Sequence, residues 1–458
     1  MDATALLIRK ALLPAWAAKN RSARLRYLAE LQRSQFLSAK ALRKLQWQSL
    51  QTMLAHAQRE SPFYREAFQR AGIRQGDVRS PRDLRTVPTL SKAQVQESGA
   101  AMIADSFKDR PLVRDMTGGS TGSPMVFYYD ENRRDSRTAA AMRHDRWTGW
   151  DLGEKMGVLW GAPRDLARPP ALKDRVRDWI LQRSIMLDAS AIDDARLHAF
   201  HERLQRQRPP FLLAYANTLA LFARFLRDAG LRPARPRAII CSGEVLTDEG
   251  RALIEETFGA PVFNRYGSRE FSVIASECER HEGLHVNAEN LFVEVLCDGT
   301  PMLDREGEIV VTDLRNFAMP LIRYRTRDVG VMSSRACSCG RGLPLLQLTG
   351  GRVTDFLTTT TGRKVSGIAL ATYGITNIPG IRQIQFVQDR PGSVTARIVK
   401  GPEWSENALR TLFDRLRGFL GESILIDAEF TNAIPLEASG KYRFTISTLE
   451  TGAAAYQR

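Results

Sequence analysis

Short apolar segments alternate with longer amphipathic ones through the middle of the chain, and this alternation constrains the fold more than any other feature. The apolar segments are residues 158–160, 211–214, 238–241 and 262–263, and the segments with helical spacing are residues 195–207, 218–229 and 247–258. Strands that alternate with helices in this way form a parallel sheet with helices on its faces. The sequence therefore predicts an α/β fold, with a further polar helix that begins at Asp174.

A second, smaller unit is predicted after Gly350 and Gly351, where the character of the sequence changes. Its strands are expected at residues 356–360, 381–387, 394–399 and 424–430, and its helix at residues 406–419. Because the chain has 458 residues, of which 43% are hydrophobic, more than one core is expected. We expect a large domain with mixed sheets and helices over residues 76–353, and a small, mobile α+β C-terminal domain over residues 354–458. Within the large domain, residues 292–296 and 308–312 are predicted strands of a more exposed sheet.

The first 75 residues are predicted to form a basic helical N-terminal region of the large domain. The whole chain has a net charge of +15, and residues 1–75 contain 14 Lys or Arg against 4 Asp or Glu. A basic arm of this kind can contact an anionic membrane, a nucleic acid or an acidic partner, or it can be a solvated helix face. Since no nucleic-acid-binding motif is present, we expect no nucleic acid partner and consider peripheral membrane contact through this arm.

The compartment is predicted from cysteine usage and from the distribution of apolar residues. No apolar run approaches the roughly 20 residues that span a bilayer, and residues 1–20 do not have the pattern of a secretion signal. Five cysteines, an odd number, argue against a disulfide framework. We therefore expect a cytoplasmic protein, in contact at most with the inner face of the membrane. A homodimer is the expected assembly.

A glycine-rich segment is the first candidate functional feature. Residues 117–124 read Thr-Gly-Gly-Ser-Thr-Gly-Ser-Pro. Glycines let backbone N–H groups crowd around an anion, and hydroxyl side chains add donors, although the spacing is not that of a P-loop. Far downstream, Lys441 follows Ser439 and Gly440 and places a cation in a short turn. The two segments together predict a nucleotide enzyme whose site is built from two domains. A plain surface turn and an exposed lysine are the alternative interpretations.

Further motifs follow the glycine-rich segment in a fixed order. They are Cys241-Ser-Gly-Glu-Val245, Asn264-Arg-Tyr-Gly-Ser-Arg-Glu270, Arg323-Tyr-Arg-Thr-Arg-Asp328, Gly350-Gly-Arg-Val-Thr-Asp-Phe-Leu357 and Pro435-Leu-Glu-Ala-Ser-Gly-Lys441. In this order they resemble the core motifs of the adenylate-forming superfamily, which contains acyl-CoA synthetases and the adenylation domains of peptide synthetases. The resemblance runs from about residue 110 to residue 445. It is strongest to the branch of phenylacetate–CoA ligase and its CapK-like relatives of capsule biosynthesis.

The resemblance implies a role for each motif residue. Nucleotide binding would fall to Thr117, Gly118, Gly119, Ser120, Thr121, Gly122, Gly243, Glu244, Tyr266, Gly267, Asp328 and Arg352. Within this set, Tyr266 would stack on adenine, and Asp328 would accept hydrogen bonds from the ribose hydroxyls. The catalytic residues would be Glu270, which would hold Mg²⁺, and Lys441, which would reach the α-phosphate and the attacking carboxylate. A core aromatic at position 266, and an aspartate at position 328 that pairs with Arg325 or Arg327, are the alternatives.

The chain departs from the family pattern at two positions. Phenylacetate ligases carry a lysine after the last glycine of the loop, whereas this chain has Ser123. The family usually has Asp or Lys two residues beyond Arg352 as the hinge pivot, whereas this chain has Thr354, followed by Asp355. The first departure predicts weaker ATP binding unless another cation compensates, and the second leaves the position of the pivot open.

A metal site is a further hypothesis. Cys278, Cys337 and Cys339, with His285 or His281, provide the ligands of a closed Cys₃His zinc site. We favour His285, because it begins a strand-like apolar run and should be held in place. Some members of the branch that the chain resembles are expected to carry a structural zinc near the adenylation site. Free buried thiols are the alternative.

The function that the resemblance implies is ATP-dependent activation of a carboxylic acid to an acyl adenylate, followed by transfer to CoA. ATP, Mg²⁺ and CoA would be the cofactors and partners, together with a small carboxylate substrate. From chain order, the acyl pocket is expected to include Trp160, Tyr215 and Ser242. A role in polysaccharide biosynthesis is favoured over phenylacetate degradation. The alternatives are an adenylate-forming enzyme with a different acceptor and a non-catalytic nucleotide-binding scaffold on the same fold.

Overall fold

The computed structural model describes residues 2–117, 125–160, 183–189, 194–350, 356–362, 364–366, 378–435 and 443–449. The N-terminal region is helical, as predicted. Its helices are Ala3–Leu7 (α1), Leu13–Lys19 (α2), Arg24–Ser34 (α3), Ala39–Glu60 (α4) and Pro62–Arg70 (α5), with a π-helical turn at Ile8–Leu12. None of the helices in these ranges combines the length and the apolar character that a membrane span requires. Leu50 and Met53 of α4 are fully buried in one core cluster with sheet residues such as Leu346, so this region is part of the large core.

A hairpin and further helices lead from this region to the central sheet. The hairpin strands are Val113–Met116 (β1) and Val126–Tyr129 (β2), and the helices are Lys92–Ser98 (α6), Glu131–Trp147 (α7), Asp194–Gln207 (α8), Ala216–Asp228 (α9) and Asp248–Phe258 (α10). Short 3₁₀ turns occur at Asp83–Thr86, Gly99–Met102 and Asp105–Phe107. The Asp130 side chain accepts a hydrogen bond from the Arg133 backbone N–H and caps α7, which fixes where that helix begins.

The central sheet has twelve strands. They are Met156–Trp160 (β3), Ser184–Asp188 (β4), Phe211–Tyr215 (β5), Ala238–Ser242 (β6), Val262–Ser268 (β7), Ser272–Glu277 (β8), Leu284–Val286 (β9), Leu291–Cys297 (β10), Thr300–Pro301 (β11), Glu306–Asp313 (β12), Tyr324–Met332 (β13) and Leu345–Gly350 (β14). Their order is β11-β10-β12-β13-β14-β9-β8-β7-β6-β5-β3-β4. The five strands from β7 to β4 are parallel, and every residue of β6 is buried. The predicted parallel sheet is therefore confirmed.

The expectation that residues 292–296 and 308–312 form strands of a more exposed sheet is wrong. Both strands exist, as β10 and β12, but they belong to the same twelve-stranded sheet as the parallel strands, to which β13, β14, β9 and β8 connect them. Val295, Val310 and Val311 are at most 1% exposed. The alternating apolar pattern is typical of strands with one buried face, and it does not reveal that a short linking strand, β9, joins them to the parallel half.

The C-terminal part of the chain has the α+β composition predicted from its sequence. Its elements are Phe356–Thr358 (β15), Lys364–Ser366 (β16), Ile381–Gln388 (β17), Ser393–Lys400 (β18), Glu406–Leu420 (α11), Leu425–Phe430 (β19) and Thr445–Ser447 (β20). The strands predicted at residues 381–387 and 394–399 are confirmed as β17 and β18, which are antiparallel neighbours in a sheet of order β19-β18-β17-β20. Leu412 and Leu416 of α11 are fully buried against Phe386 and Ile398 in a core cluster of their own.

Candidate nucleotide and acyl site

Three parallel strands end beside one another and bring the predicted acyl-pocket residues together. Tyr215 and Ser242 end β5 and β6 and are paired in register, and Trp160 ends β3. The Trp160 and Tyr215 rings stack with their centroids 4.1 Å apart. Gly243 follows with φ +76°, and a Cβ atom at this position would lie 2.8 Å from the Tyr215 ring. Ligands of α/β sheets bind at the carboxyl ends of the strands, which is where these three residues lie, and their role in the acyl pocket stays a prediction.

The predicted adenine-stacking and ribose-binding residues are in direct contact. Tyr266 in β7 is 8% exposed, and its hydroxyl donates a hydrogen bond to Asp328 Oδ2 at 2.7 Å. The Asp328 backbone N–H donates to Thr326 Oγ1 at 3.1 Å. Arg325, an alternative ion-pair partner for Asp328, is bound to Glu308 at 2.5 Å. The Asp328 carboxylate is therefore oriented by the tyrosine hydroxyl.

This contact requires the sheet to curl. Tyr266 lies in β7 and Asp328 in β13, and β8, β9 and β14 separate these two strands in the sheet. In a flat sheet, four strand-to-strand steps would hold them about 19 Å apart. A hydrogen bond of 2.7 Å between the side chains means that the five strands form an arc, as in a barrel, whose two ends meet at this pair.

Gly267 allows two backbones to approach closely. The pairing of β7 with β8 changes register between Tyr266 and Gly267. A Cβ atom at position 267 would clash with the carbonyl oxygen of Ser272, on the neighbouring strand. A glycine at a bulge of this kind is needed for the local backbone path. The requirement for glycine therefore comes first from strand packing, whatever ligand lies beside it.

Glu270 lies at the base of the glycine-rich segment. The Tyr324 hydroxyl donates to Glu270 Oε1 at 3.0 Å, and it lies 3.7 Å from Met125 Sδ. Met125 is in turn joined to Thr117, whose backbone N–H donates to the Met125 carbonyl at 2.9 Å and whose hydroxyl accepts from the Met125 N–H at 3.0 Å. Thr117 thus closes the hairpin at the root of the predicted phosphate loop, next to the carboxylate predicted to hold Mg²⁺.

Part of the predicted site lies outside the described residues. This part comprises Gly118, Gly119, Ser120, Thr121, Gly122, Ser123, Arg352, Thr354, Asp355 and Lys441, together with the helix expected from Asp174. Glu244, directly after Gly243, is half-buried. The roles assigned to these residues stay predictions.

Tyr324 and Thr326 contact the predicted site residues Glu270 and Asp328, and the sequence analysis did not predict either contact. Both lie in β13 beside Asp328, at alternate positions of the motif Tyr-Arg-Thr-Arg-Asp. Alternate residues of a strand point to the same face. The spacing of Tyr324, Thr326 and Asp328 therefore indicates that the three side chains lie on one side of the sheet. The family resemblance assigns a role to Asp328 only.

A second cluster brings together the predicted metal ligands. The ligand atoms of Cys278, His285, Cys337 and Cys339 all lie within 4.8 Å of one another. The Cys278 and Cys337 sulfurs are 3.7 Å apart, and Cys339 Sγ is 3.3 Å from His285 Nε2. Zn–S bonds of 2.3 Å with tetrahedral angles place two sulfurs about 3.8 Å apart. The donor set and its spacing therefore fit a tetrahedral cation.

The two candidate histidines have different surroundings. His285 in β9 is fully buried, and burial lowers its pKa to about 4, so its imidazole is neutral at pH 7. His281 Nδ1 lies 3.0 Å from Glu277 Oε2 instead. Although burial opposes it, this contact and Arg251 hold the pKa of Glu277 below its ordinary value. The geometry favours His285 as the fourth ligand, and the assignment stays a prediction.

The comparisons with known proteins agree with these motifs. Residues 357–448 match the CapK C-terminal domain. Protein CapK of Staphylococcus aureus is 25% identical over 414 residues, which cover 89% of each chain. Phenylacetate-coenzyme A ligase of Escherichia coli (strain K12) is 27% identical over 313 residues, which cover 64% of this chain and 67% of that protein. The chain is thus similar in sequence to proteins of the phenylacetate–CoA ligase and CapK branch, the branch that its motifs resemble.

The solved structures place the adenylate-forming fold over almost the whole chain. 2-Hydroxyisobutyryl-CoA ligase in its postadenylation state, in complex with R3-HIB-AMP, aligns over 93% of both chains with a TM-score of 0.73 and 21% sequence identity. At this identity the likeness concerns the fold alone.

Proposed function

We propose that the chain is an AMP-forming carboxylate–CoA ligase. The observation that carries the proposal is the hydrogen bond by which Tyr266 orients Asp328, with Glu270 held at the root of the glycine-rich loop. The Asp328 carboxylate is an acceptor of the kind that suits ribose hydroxyls. Sequence similarity to two phenylacetate-coenzyme A ligases also supports the proposal.

The proposed reaction has two steps. A carboxylate oxygen of the acid attacks the α-phosphorus of ATP, the bond to the bridging oxygen breaks, and pyrophosphate leaves. The CoA thiolate then attacks the acyl carbon, and AMP leaves with the electron pair of the broken bond. Tyr266, Asp328 and Arg352 would position the nucleotide, and Lys441 would balance the charge that develops at the α-phosphate. Trp160, Tyr215 and Ser242 would enclose the acid.

Glu270 fits a magnesium ligand. The Glu270 side chain is half-buried, its Oε1 accepts from Tyr324, and its Oε2 bonds to no described residue. Mg²⁺ is usually held by one or two carboxylates together with substrate phosphates. When bound with ATP at this carboxylate, Mg²⁺ would neutralise phosphate charge. The buried Tyr324 hydroxyl orients the Glu270 carboxylate through its hydrogen bond to Oε1.

Tyr324→Phe should raise the magnesium concentration needed for half-maximal activity by about fivefold, since one charge-assisted hydrogen bond orients Glu270. The kcat at saturating magnesium should change much less. Titration of adenylation activity with MgCl₂ at fixed ATP measures both quantities.

Tyr64→Phe is the matched control for this titration. The Tyr64 hydroxyl is buried, donates to the Pro320 carbonyl at 3.1 Å and accepts from the Ile322 N–H at 2.9 Å, just before β13. This variant loses a comparable buried hydroxyl without touching Glu270, so its magnesium dependence should stay at the wild-type level. Equal shifts in the two variants would contradict the positioning role of Tyr324.

The test of the proposed function is ATP–pyrophosphate exchange with a panel of aromatic, aliphatic and sugar-linked carboxylic acids. Exchange that depends on one class of acid, followed by consumption of CoA thiol with that acid, is the expected result. Absence of acid-dependent exchange across the panel, with ATP binding intact, would contradict the proposal.

Two other functions are compatible with the same site. In one, the acyl group passes to a carrier-protein thiol, an amine or a hydroxyl, and product analysis with each acceptor separates this case from transfer to CoA. In the other, the chain is a nucleotide-binding scaffold, for which Ser123 and Thr354 are the motivating departures.

We also infer a role in polysaccharide biosynthesis from the similarity to Protein CapK. Identification of the acid by the exchange assay tests this role.

We propose that the Cys₃His cluster holds a structural zinc ion. Cys278 follows β8, His285 lies in β9, and Cys337 and Cys339 precede β14, so one ion would join three neighbouring strands. The four ligands leave no open coordination position, which is typical of a structural rather than a catalytic site. Backbone N–H groups of Arg280 and Arg341 donate to the sulfurs of Cys278 and Cys339 at 3.5 Å.

We propose that the turn between α3 and α4 contacts anionic membrane. Phe36 and Leu37 are 59% and 39% exposed at this turn. Exposed basic residues surround them in sequence, namely Arg33, Lys40, Arg43 and Lys44. Apolar side chains that insert shallowly, next to cations that meet lipid headgroups, are the usual elements of peripheral membrane binding.

Phe36→Ser combined with Leu37→Ser should weaken binding to phosphatidylserine vesicles by about tenfold, since both apolar anchors are lost. Cosedimentation with vesicles measures the binding. Leu303 lies outside this turn and is 57% exposed, so Leu303→Ser is the matched control and should bind vesicles as the wild type does. Wild-type binding that is absent, or that the double substitution leaves unchanged, would refute membrane contact at this turn.

A further inference from the structure

A cavity of about 320 Å³ lies apart from the candidate active site. Helix α3, the turn that follows it and α4 form one side of it, through Leu31, Leu37 and Leu45 respectively, and Glu289, Asn290 and Arg315 form the other. None of these residues belongs to the nucleotide, acyl or metal sites described above. A cavity of this volume is at the lower end of the range for small-molecule sites.

Glu289 offers this cavity a buried acceptor that no described residue satisfies. Its side chain is 2% exposed, and Oε1 accepts from Arg143 Nη1 at 2.7 Å and from Ser34 Oγ at 2.5 Å. Oε2 is buried and bonds to no described residue. Buried polar atoms in native structures nearly always have partners. Since an ionised carboxylate only accepts hydrogen bonds, the missing partner must be a donor.

Arg315 offers the same cavity the opposite charge. Its guanidinium lies over the Tyr27 ring, 6.0 Å from the centroid. The Arg315 Nε atom is buried and bonds to no residue within the described ranges. Arg315 also lines an adjoining cavity of about 330 Å³, so the guanidinium stands between two open volumes. A planar guanidinium with free donors is suited to a carboxylate.

The lining therefore has three chemically distinct parts. An acceptor, Glu289, and a donor, Arg315, line the same cavity, and Leu31 of α3 and Leu45 of α4 supply an apolar surface. Glu30 and Arg33, both in α3, add a second carboxylate and a second guanidinium to the cavity lining. A simple inorganic anion would leave the Glu289 oxygen and the leucines unused, and an apolar ligand would leave both charged groups unsatisfied.

We propose that this cavity binds a small zwitterion with an apolar side chain, that is, an α-amino acid. Its ammonium group donates to Glu289 Oε2, its carboxylate accepts from Arg315, and its side chain packs against the leucines of α3 and α4. This site lies outside the proposed ligase machinery, and the binding inferred here does not depend on that activity.

Calorimetric titration of the full-length protein with L-leucine, L-phenylalanine and L-methionine tests the proposal. At least one of these should bind saturably with a Kd below about 1 mM. The N-acetyl and carboxamide derivatives of that amino acid lack the ammonium and the carboxylate, respectively, and each should bind at least about tenfold more weakly. An N-acetyl derivative that binds as well as the free amino acid would overturn the zwitterion assignment. So would absence of binding by all three amino acids up to about 50 mM.

Arg315→Gln should weaken the same titration by at least about tenfold, because the guanidinium loses its bidentate hydrogen bonds to the carboxylate. Arg305→Gln removes an equal charge at an exposed turn outside the cavity and should bind as the wild type does. Equal affinities of wild type and Arg315→Gln would also overturn the proposal. The derivative series uses only the wild-type protein, so the conclusion stands even if a variant folds poorly.

Discussion

Replacing Lys441 with alanine is expected to slow acid-dependent ATP–pyrophosphate exchange by about 100-fold or more, as loss of a preorganised charge at a reacting centre does. In the adenylate-forming superfamily this position would balance the charge that builds up when the carboxylate attacks the α-phosphate. Nucleotide affinity should fall far less, since Tyr266 and Asp328 would still position the nucleotide. Exchange kinetics and ATP binding, both measured on the variant, separate the two effects.

Lys400→Ala is the matched control for Lys441→Ala. Lys400 ends β18 in the C-terminal sheet, and its ammonium lies over the Phe430 and Trp404 rings, 4.1 and 4.7 Å from their centroids. Loss of this lysine removes one charge from the same part of the chain without touching the proposed site, so exchange should continue near the wild-type rate. A Lys441→Ala protein with full exchange activity would remove the lysine from the mechanism.

Cys339→Ser is expected to abolish stoichiometric zinc and to lower the midpoint of thermal unfolding by about 10 °C, because binding at a structural site contributes directly to folding. The serine oxygen is a poor replacement for a thiolate, and the remaining ligands, His285, Cys278 and Cys337, cannot close the tetrahedron. Elemental analysis of the purified protein measures the metal, and calorimetry measures the unfolding midpoint.

Cys297→Ser makes the same chemical change outside the cluster. Cys297 is a free, half-buried cysteine at the end of β10. This variant should retain its zinc and unfold within about 2 °C of the wild type, as a mild surface substitution does. Wild-type protein that contains no zinc, or whose unfolding midpoint is unchanged by chelation, would contradict the structural role of the cluster.

The sequence predicted those features that depend on local pattern. The alternation of apolar and amphipathic segments led to the parallel strands around residues 238–242, and the change in character after Gly351 led to the α+β elements that follow. Motif residues such as Tyr266 and Gly243 were predicted from the resemblance to the adenylate-forming motifs, each of which is contiguous in the sequence. These features require only neighbours in the chain.

The features that the sequence did not predict arise from contacts between distant segments. The contact of Tyr266 with Asp328 depends on the curvature of five strands, which no periodicity records. Tyr324 was missed because its role is to hold Glu270, 54 residues earlier in the chain. The continuity of the twelve-stranded sheet depends on β9, which has only three residues and is too short to give a pattern.

The arc of strands from β7 to β13 has a consequence for how metal and nucleotide affect one another. Its first and last strands meet at Tyr266 and Asp328, and the Cys₃His cluster lies at the middle of the arc, beside β8, β9 and β14. A zinc ion bound there would join these three strands and stabilise the curvature that brings Tyr266 to Asp328. If ATP binds best to this curved form, zinc should raise the affinity for ATP, and by thermodynamic reciprocity ATP should raise the affinity for zinc by the same factor.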